Sequence, residues 1–324
     1  MGRIARLSWA LAGIAAACGC SASAKARADG GADADTDADT DADADTDVDT
    51  DSDSDTGFDA GAACPPLSAY GLTQDVILPD VPAEGSGIAW DRDTGTFFVV
   101  ANYEYSIWEY DAAFDAPLRT IALVDIDDDT EGIEYLEDGW VAICAETNRV
   151  FVVHLGDDTT SVSGADGAAQ IFQPCDAPPV ANAGLEGIAY RRARGTVPGR
   201  IFVCQEHQPM RVLAFDWIEG APPFEPASYA DGTLDVYEPW DAQAALSPYV
   251  DDIAGMAFDE SDGTLLIVSQ ESSKIIRVDP ETGAVLDQLP LEGTSTSEGL
   301  TIFDGCKLAV MSEPNHLQVY EPLR

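Results

Sequence analysis

Acidic side chains recur in this chain at one place in a repeated pattern. Five segments share a glycine, an aliphatic residue after it and an aromatic or aliphatic residue two further on. They are Glu84-Gly85-Ser86-Gly87-Ile88-Ala89-Trp90, Asp129-Thr130-Glu131-Gly132-Ile133-Glu134-Tyr135, Gly184-Leu185-Glu186-Gly187-Ile188-Ala189-Tyr190, Asp252-Ile253-Ala254-Gly255-Met256-Ala257-Phe258 and Thr296-Ser297-Glu298-Gly299-Leu300-Thr301-Ile302. Glu131, Glu186 and Glu298 stand immediately before the shared glycine. Ser86 and Ala254 take that slot in the first and fourth segments, where Glu84 and Asp252 lie two residues earlier, as Asp129 does in the second. Side chains two apart on a strand share a face. A turn and a second apolar run follow each segment, ending in Asn102, Glu146, Glu206, Gln270 and Glu313. Folding each hairpin about its turn sets Glu131 opposite Glu146, Glu186 opposite Glu206 and Glu298 opposite Glu313, with Ser86 against Asn102 and Ala254 against Gln270. Facing residues on antiparallel strands are about 5.5 Å apart at Cα. The start of one strand and the end of its partner lie at the same end of a hairpin, so all these groups are expected around one mouth.

Carboxylates do not crowd together in ionised form without compensation. Two like charges 4 Å apart repel by roughly 4 kcal/mol at an effective dielectric near 20. Either some acids hold their protons or a hard cation joins them. Calcium takes about 6–8 oxygen ligands in irregular geometry. The candidate metal ligands are therefore Glu131, Glu186, Glu298, Glu146, Glu206, Glu313, Glu84 and Asp252. The competing reading is architectural, with each glutamate accepting backbone N–H groups of its neighbour and setting the spacing of the repeats. The substitution of Ser86, Ala254, Asn102 and Gln270 into the pattern breaks the symmetry that pure architecture predicts, and favours a site. His207 and His316 fall near the ends of second runs, while His154 lies mid-strand and reads as structural. No nucleophile elbow, phosphate loop, dinucleotide glycine set or zinc-protease helix is present. Cys144 and Cys204 occupy equivalent places in successive repeats, about 10 Å apart, beyond disulfide reach. Any pairing among Cys64, Cys175 and Cys306 is left open by the sequence.

The elements that must position these groups are short strands. Third runs follow at Ile107–Asp111, Val150–Leu155, Arg211–Phe215, Lys274–Asp279 and His316–Tyr320. Fourth runs follow in four repeats, at Leu118–Leu123, Ala169–Gln173, Leu234–Glu238 and Val285–Leu289. The fifth repeat runs out of chain, and Thr73–Leu78 at the start of the domain supplies its missing strand. Such closure removes free sheet edges. The fold expected is all-β: a five-bladed β-propeller of four-stranded antiparallel blades over residues 66–324. The long stretch Asp216–Tyr249 lacks the glycine-aliphatic start and is expected to be an insertion, not a sixth blade.

Ahead of that domain the chain reads differently. Residues 1–24 have a basic start at Arg3 and Arg6 and an apolar run, Leu7–Ala17, too short to span a bilayer. The ending Ala15-Ala16-Ala17-Cys18 reads as a lipoprotein-type signal with Cys18 as the lipidated residue; the alternative is cleavage after Ala22-Ser23-Ala24 and a free secreted protein. Residues 25–65 are an acidic linker in which Asp alternates with Ala, Thr and Ser, a composition that buries nothing. Both readings place the protein in the cell envelope or outside it: outer membrane lipoprotein, periplasm or cell surface. A formal charge of −43 argues against nucleic acid and anionic membrane surfaces as partners. Contact with a membrane is expected only through the N-terminal lipid, and the domain is expected to be monomeric.

The repeats resemble the SdiA-regulated family of bacterial β-propeller proteins. The resemblance is carried by Glu84-Gly85-Ser86-Gly87-Ile88, Thr130-Glu131-Gly132-Ile133, Gly184 to Tyr190, and Ser297-Glu298-Gly299-Leu300 with Ser312-Glu313-Pro314-Asn315, and it spans Leu72 to Tyr320. It implies a propeller, an envelope location and a calcium (Ca2+) site, and no known reaction. The fourth repeat departs from the pattern at Ala254 and Gln270. The function expected is divalent-cation binding at an axial mouth that presents one face to a small molecule or protein, for which Tyr103, Tyr105 and Trp240 are candidate contacts. The alternatives are a metal-dependent hydrolase of ester, phosphoester or lactone substrates, with Glu146, Glu206 or Glu313 as base, and a purely structural protein.

Overall fold

The computed structural model describes residues 63–323 except 83, 128, 166–167, 176–183, 207–208, 220–225 and 294–295. The signal segment, Cys18, His207 and all but the last three residues of the acidic linker lie outside the described residues.

Five small sheets surround a common axis, making a five-bladed propeller. From the axis outward, the first blade is Gly85–Asp91, Thr96–Ala101, Ser106–Tyr110 and Arg119–Val124. The second is Thr130–Tyr135, Trp140–Ala145, Arg149–His154 and Gln170–Gln173. The third is Leu185–Arg191, Gly199–Gln205 and Arg211–Trp217. The fourth is Gly255–Asp259, Thr264–Ser269, Lys274–Val278 and Val285–Pro290. The fifth is Ser297–Phe303, Lys307–Ser312 and His316–Pro322, with Tyr70–Ile77 outermost. The last pairing runs antiparallel from Tyr70 against Pro322 to Ile77 against His316, so the two ends of the domain close the ring.

Two departures from the sequence reading concern the outer strands. The third blade has three strands: Leu234–Glu238 meets it only through one isolated bridge, Ala214 with Tyr237. The chain from Asp216 first visits the second blade, where Ala227–Ser228 pairs in parallel with Phe172 and Gln173. Leu234 and Val236 are then buried between the second and third blades without forming a ladder. A second short parallel strand, Ser161–Ser163, extends the first blade beside Ala122–Val124. Among its described residues the insertion otherwise contains a single helical turn, Ala242–Leu246, capped by Asp241, whose carboxylate accepts the Ala244 N–H at 2.9 Å.

The core is five apolar layers, one between each pair of neighbouring blades. Strands with apolar residues on both faces, such as Thr96–Ala101 and Thr264–Ser269, are buried along their whole length because each face packs on a different blade. At the axis the repeated glycine has a steric reason. A Cβ on Gly255 would lie 2.0 Å from the Glu298 carbonyl oxygen of the next blade, and one on Gly187 would lie 2.9 Å from that of Ala254. Backbones touch there, and only glycine leaves room.

A disulfide joins Cys64 to Cys306, with Cα atoms 5.4 Å apart. Cys306 lies in the hairpin turn of the fifth blade, at the end of the propeller opposite the starts of the inner strands. Cys144 and Cys204 are buried thiols, and Cys175 is buried as well. Among the described residues no helix is long and apolar enough to cross a membrane.

Candidate metal centre

Four of the five inner strands begin with a register shift, and in three of them the extra residue is a glutamate. In the second blade Thr130 pairs with Ala145 and Gly132 with Cys144, so Glu131 is an extra residue in a β-bulge. The same shift occurs at Glu186, between the pairs Leu185–Gln205 and Gly187–Cys204, at Glu298, between Ser297–Ser312 and Gly299–Met311, and at Ser86 in the first blade. In the fourth blade Gly255 pairs with Val268, and the Ala254 N–H also donates to the Val268 carbonyl at 2.9 Å. The bulge corrects the hairpin register read from the sequence by one residue. Glu146 faces Asp129, whose carbonyl accepts its N–H at 3.0 Å; Glu313 faces Thr296 in the same way, and Asn102 faces Glu84. A bulge re-aims the extra side chain out of the ladder. Here it turns Glu131, Glu186 and Glu298 toward the axis.

These three glutamates line an axial opening of about 10 Å³, with the five glycines and the apolar residues after them. Glu131 is 6% exposed. Burial first, and then Asp129 and Glu146 nearby, push its carboxyl above the ordinary range, against a hydrogen bond from the Asn102 side chain that favours ionisation. Burial and the charges of Glu131, Glu206, Glu146 and Glu298 raise Glu186. Burial followed by Glu313 raises Glu298 to about 9. Glu206 is brought to about 7, by burial and then by Asp252, Glu271 and Glu146. Glu313 is raised mainly by burial, with Glu84 adding to it. Among the described residues no lysine, arginine or histidine forms an ion pair with Glu131, Glu186 or Glu298.

Among the described residues, Glu298 Oε2 and Asn102 Oδ1 are buried without a hydrogen-bond donor. The second carboxylate oxygen of Glu298 receives only the Gln270 amide, Nε2 to Oε1 at 3.3 Å. One ligand atom each from Asp129, Glu131 and Glu146 all lie within 4.8 Å of one another. A buried carboxylate oxygen or amide oxygen lacking a donor is unfavourable, and a hard cation satisfies both kinds. The donor set therefore suits a hard divalent cation: carboxylates and a neutral amide oxygen beside a solvent opening.

The predicted ligands do not all share this role. Asp252 is fully buried, and its oxygens accept from Ser269 Oγ, from the Gln270 N–H at 3.0 Å and from the Glu271 N–H at 3.1 Å. It fixes the end of the fourth blade by accepting from its own blade, not from the neighbouring one, and keeps little capacity for a metal. Glu84 is exposed at the rim, with φ at 113°. Its N–H donates to the Pro314 carbonyl at 2.7 Å, which ties the first blade to the fifth. Asp129 and Asn102 lie outside the ligand set expected from the sequence. The signal that would have found them is a glycine inside a strand, which often marks a bulge; allowing one extra residue brings Asp129 against Glu146.

Among the aromatic candidates, Tyr103 and Tyr105 are exposed, and the Tyr103 phenol lies in the field of Asp129, Glu146, Glu131 and Glu84 at the mouth. Trp240 stands elsewhere: its indole donates to the Pro280 carbonyl at 3.0 Å and its ring packs on Gly283, in a turn at the other end of the fourth blade. His316 faces Asp75 on the outer strands at 3.3 Å, away from the axis.

Comparison with known proteins fits this arrangement of blades. The sequence model of the SdiA-regulated family matches residues 67–321, nearly the whole propeller. The chain belongs to the SdiA-regulated family. Solved structures with a similar backbone include a luciferin-regenerating enzyme, at 12% identity over 77% of this chain and 94% of that one, TM-score 0.46. A gluconolactonase from Xanthomonas campestris matches at 16% identity over 81% of this chain and 96% of that one, TM-score 0.43. The calcium-binding protein regucalcin from Agrobacterium tumefaciens str. C58 matches at 12% identity over 78% and 96%, TM-score 0.46.

Proposed function

We propose that this SdiA-regulated propeller binds calcium at its axial mouth and presents that mouth to a small molecule or protein. The observation that carries the reading is the set of inward-turned glutamates, Glu131, Glu186 and Glu298, which among the described residues meet without a cationic side chain while Glu298 Oε2 and Asn102 Oδ1 lack donors. Glu131, Glu186, Glu298 and Asn102 would hold the ion, with Asp129 and Glu146 on the side of the second blade. Tyr103 and Tyr105 at the rim suit contact with a bound partner. Calcium titrated calorimetrically into chelator-treated protein is expected to bind, and Glu186→Gln to weaken it about tenfold or more. Unchanged affinity in that variant sinks the assignment.

A second reading, a metal-dependent hydrolase of an ester, phosphoester or lactone, is favoured by Glu206. It is 9% exposed at the same mouth, and at about 7 its proton affinity suits a general base at neutral pH. A calcium ion there would polarise the substrate or lower the pKa of a water. Calcium-dependent turnover of a lactone or aryl ester, lost in Glu206→Gln with calcium binding retained, is the result that selects this reading over pure binding.

We also propose that the domain is a monomer held at the cell envelope by lipid on Cys18, spaced by the acidic linker. The Cys64–Cys306 disulfide joins that linker to the end of the propeller opposite the glutamates, which suits a mouth that faces away from a membrane. Cys18→Ala is expected to move the protein from the membrane fraction to the soluble fraction.

A further inference from the structure

The opposite mouth of the propeller has a cavity of different chemistry. It measures about 240 Å³, just under the usual range for small-molecule sites, and its lining includes Trp90, Phe258, Ile302 and Phe303, with Arg92 and Arg192. The walls are held in place from behind. Phe97 packs on Trp90 at 4.6 Å and on Phe303 at 5.0 Å between ring centroids, and Phe202 stacks on Phe258 at 5.9 Å.

The three acids around this cavity each have a cationic partner. Glu260 is met by Arg194 at 2.7 Å, Asp304 by Lys307 at 2.7 Å, and Asp259 by Arg277 at 3.7 Å. Arg92 donates only to neutral carbonyls, Leu136 O at 2.5 Å and Tyr135 O at 3.4 Å, with its guanidinium 5.2 Å from the Tyr135 ring centre. Among the described residues no carboxylate forms an ion pair with it. The buried acid in its field, Glu134, has its carboxyl pushed up to about 8 by desolvation, against the opposing charge of Arg92. A guanidinium has five N–H donors in a planar fork suited to anions, and Arg92 commits two of them here.

We propose that this mouth is a binding site for an aromatic anion, its ring system seated between Trp90, Phe258 and Phe303 and its carboxylate or sulfonate held by Arg92. The site is independent of the calcium centre at the other end of the axis. The test uses two dyes that differ by one sulfonate: 8-anilinonaphthalene-1-sulfonate and neutral N-phenyl-1-naphthylamine, each titrated into wild-type protein by fluorescence. The sulfonate is expected to bind saturably at one site, about tenfold tighter than the neutral dye. Arg92→Gln is expected to weaken the sulfonate about tenfold and leave the neutral dye unchanged, Arg92→Lys to weaken it less, and Glu186→Gln to change neither. Equal affinity for the two dyes, absence of saturable binding, or an Arg92→Gln variant that binds the sulfonate as wild type does overturns the proposal. The wild-type comparison decides the charge preference even where a variant fails to fold.

Discussion

The two mouths of the propeller carry acids of opposite status. At the hairpin-turn end, Glu260, Asp304 and Asp259 each have a cationic side chain beside them. At the other end, Glu131, Glu186 and Glu298 have none among the described residues. A strongly acidic chain would place carboxylates at both ends by composition alone. The pairing, not the acidity, separates ordinary surface electrostatics from a site: an exposed pair contributes little either way, whereas a buried cluster without counter-charge must hold protons or bind a cation. The mouths differ in backbone as well. Inner strands touch where they begin, at the glutamates, and diverge to open turns at the far end.

The backbone difference gives the largest expected effect. Gly255→Ala places a methyl 2.0 Å from the Glu298 carbonyl oxygen, and is expected to cost about 3 kcal/mol or more, a fall in Tm of more than about 6 °C. Gly305→Ala at the opposite mouth meets nothing within 4 Å, and only its φ of +87° resists the change, so about 1 kcal/mol is expected. Equal losses in the two variants, measured by thermal denaturation, would erase the contrast.

Supplying the missing counter-charge should abolish the difference between the mouths. Gln270 already reaches Glu298, so Gln270→Lys is expected to lower calcium affinity roughly tenfold while leaving the metal-free domain folded. Undiminished calcium binding would mean that Glu298 is not a ligand.

The raised acids also fix the sign of a pH dependence. Folded Glu131, Glu186, Glu298 and Glu206 keep protons that the unfolded chain has lost. Their contribution is complete below the ordinary carboxylate range and is lost as pH rises through the raised values, about 7 for Glu206 and about 9 for Glu298. The Tm of the metal-free domain should therefore fall between about pH 5 and pH 9. Saturating calcium should remove that fall, because the bound ion stabilises the ionised forms. A flat metal-free profile counts against burial of the cluster.

Smaller effects remain at the rims. Glu84 holds φ at 113°, so Glu84→Gly is expected to raise stability by about 1 kcal/mol, with some loss of calcium affinity; a fall in stability would show that the Pro314 contact matters more than the backbone strain. Arg194→Gln breaks the exposed pair with Glu260, and should change stability by less than about 0.5 kcal/mol.

Sequence alone determined the blade count, the inner, second and third strands and the closing strand, because each blade repeats one hydrophobic pattern and a ring needs its ends paired. It also brought the glutamates to one mouth, since strand direction alternates regularly within a blade. Tertiary contacts decided the rest. The bulges at Glu131, Glu186 and Glu298 answer to crowding between neighbouring blades, which no single hairpin contains, and they moved the cross-strand partners by one residue. Asp252 became a backbone acceptor because the fourth blade turns three donors toward it. Leu234–Glu238 lost its ladder because the preceding chain was drawn to the second blade. The Cys64–Cys306 pairing needed two places 242 residues apart to meet. Periodicity along a chain is local information, while register between blades depends on what the next blade leaves room for.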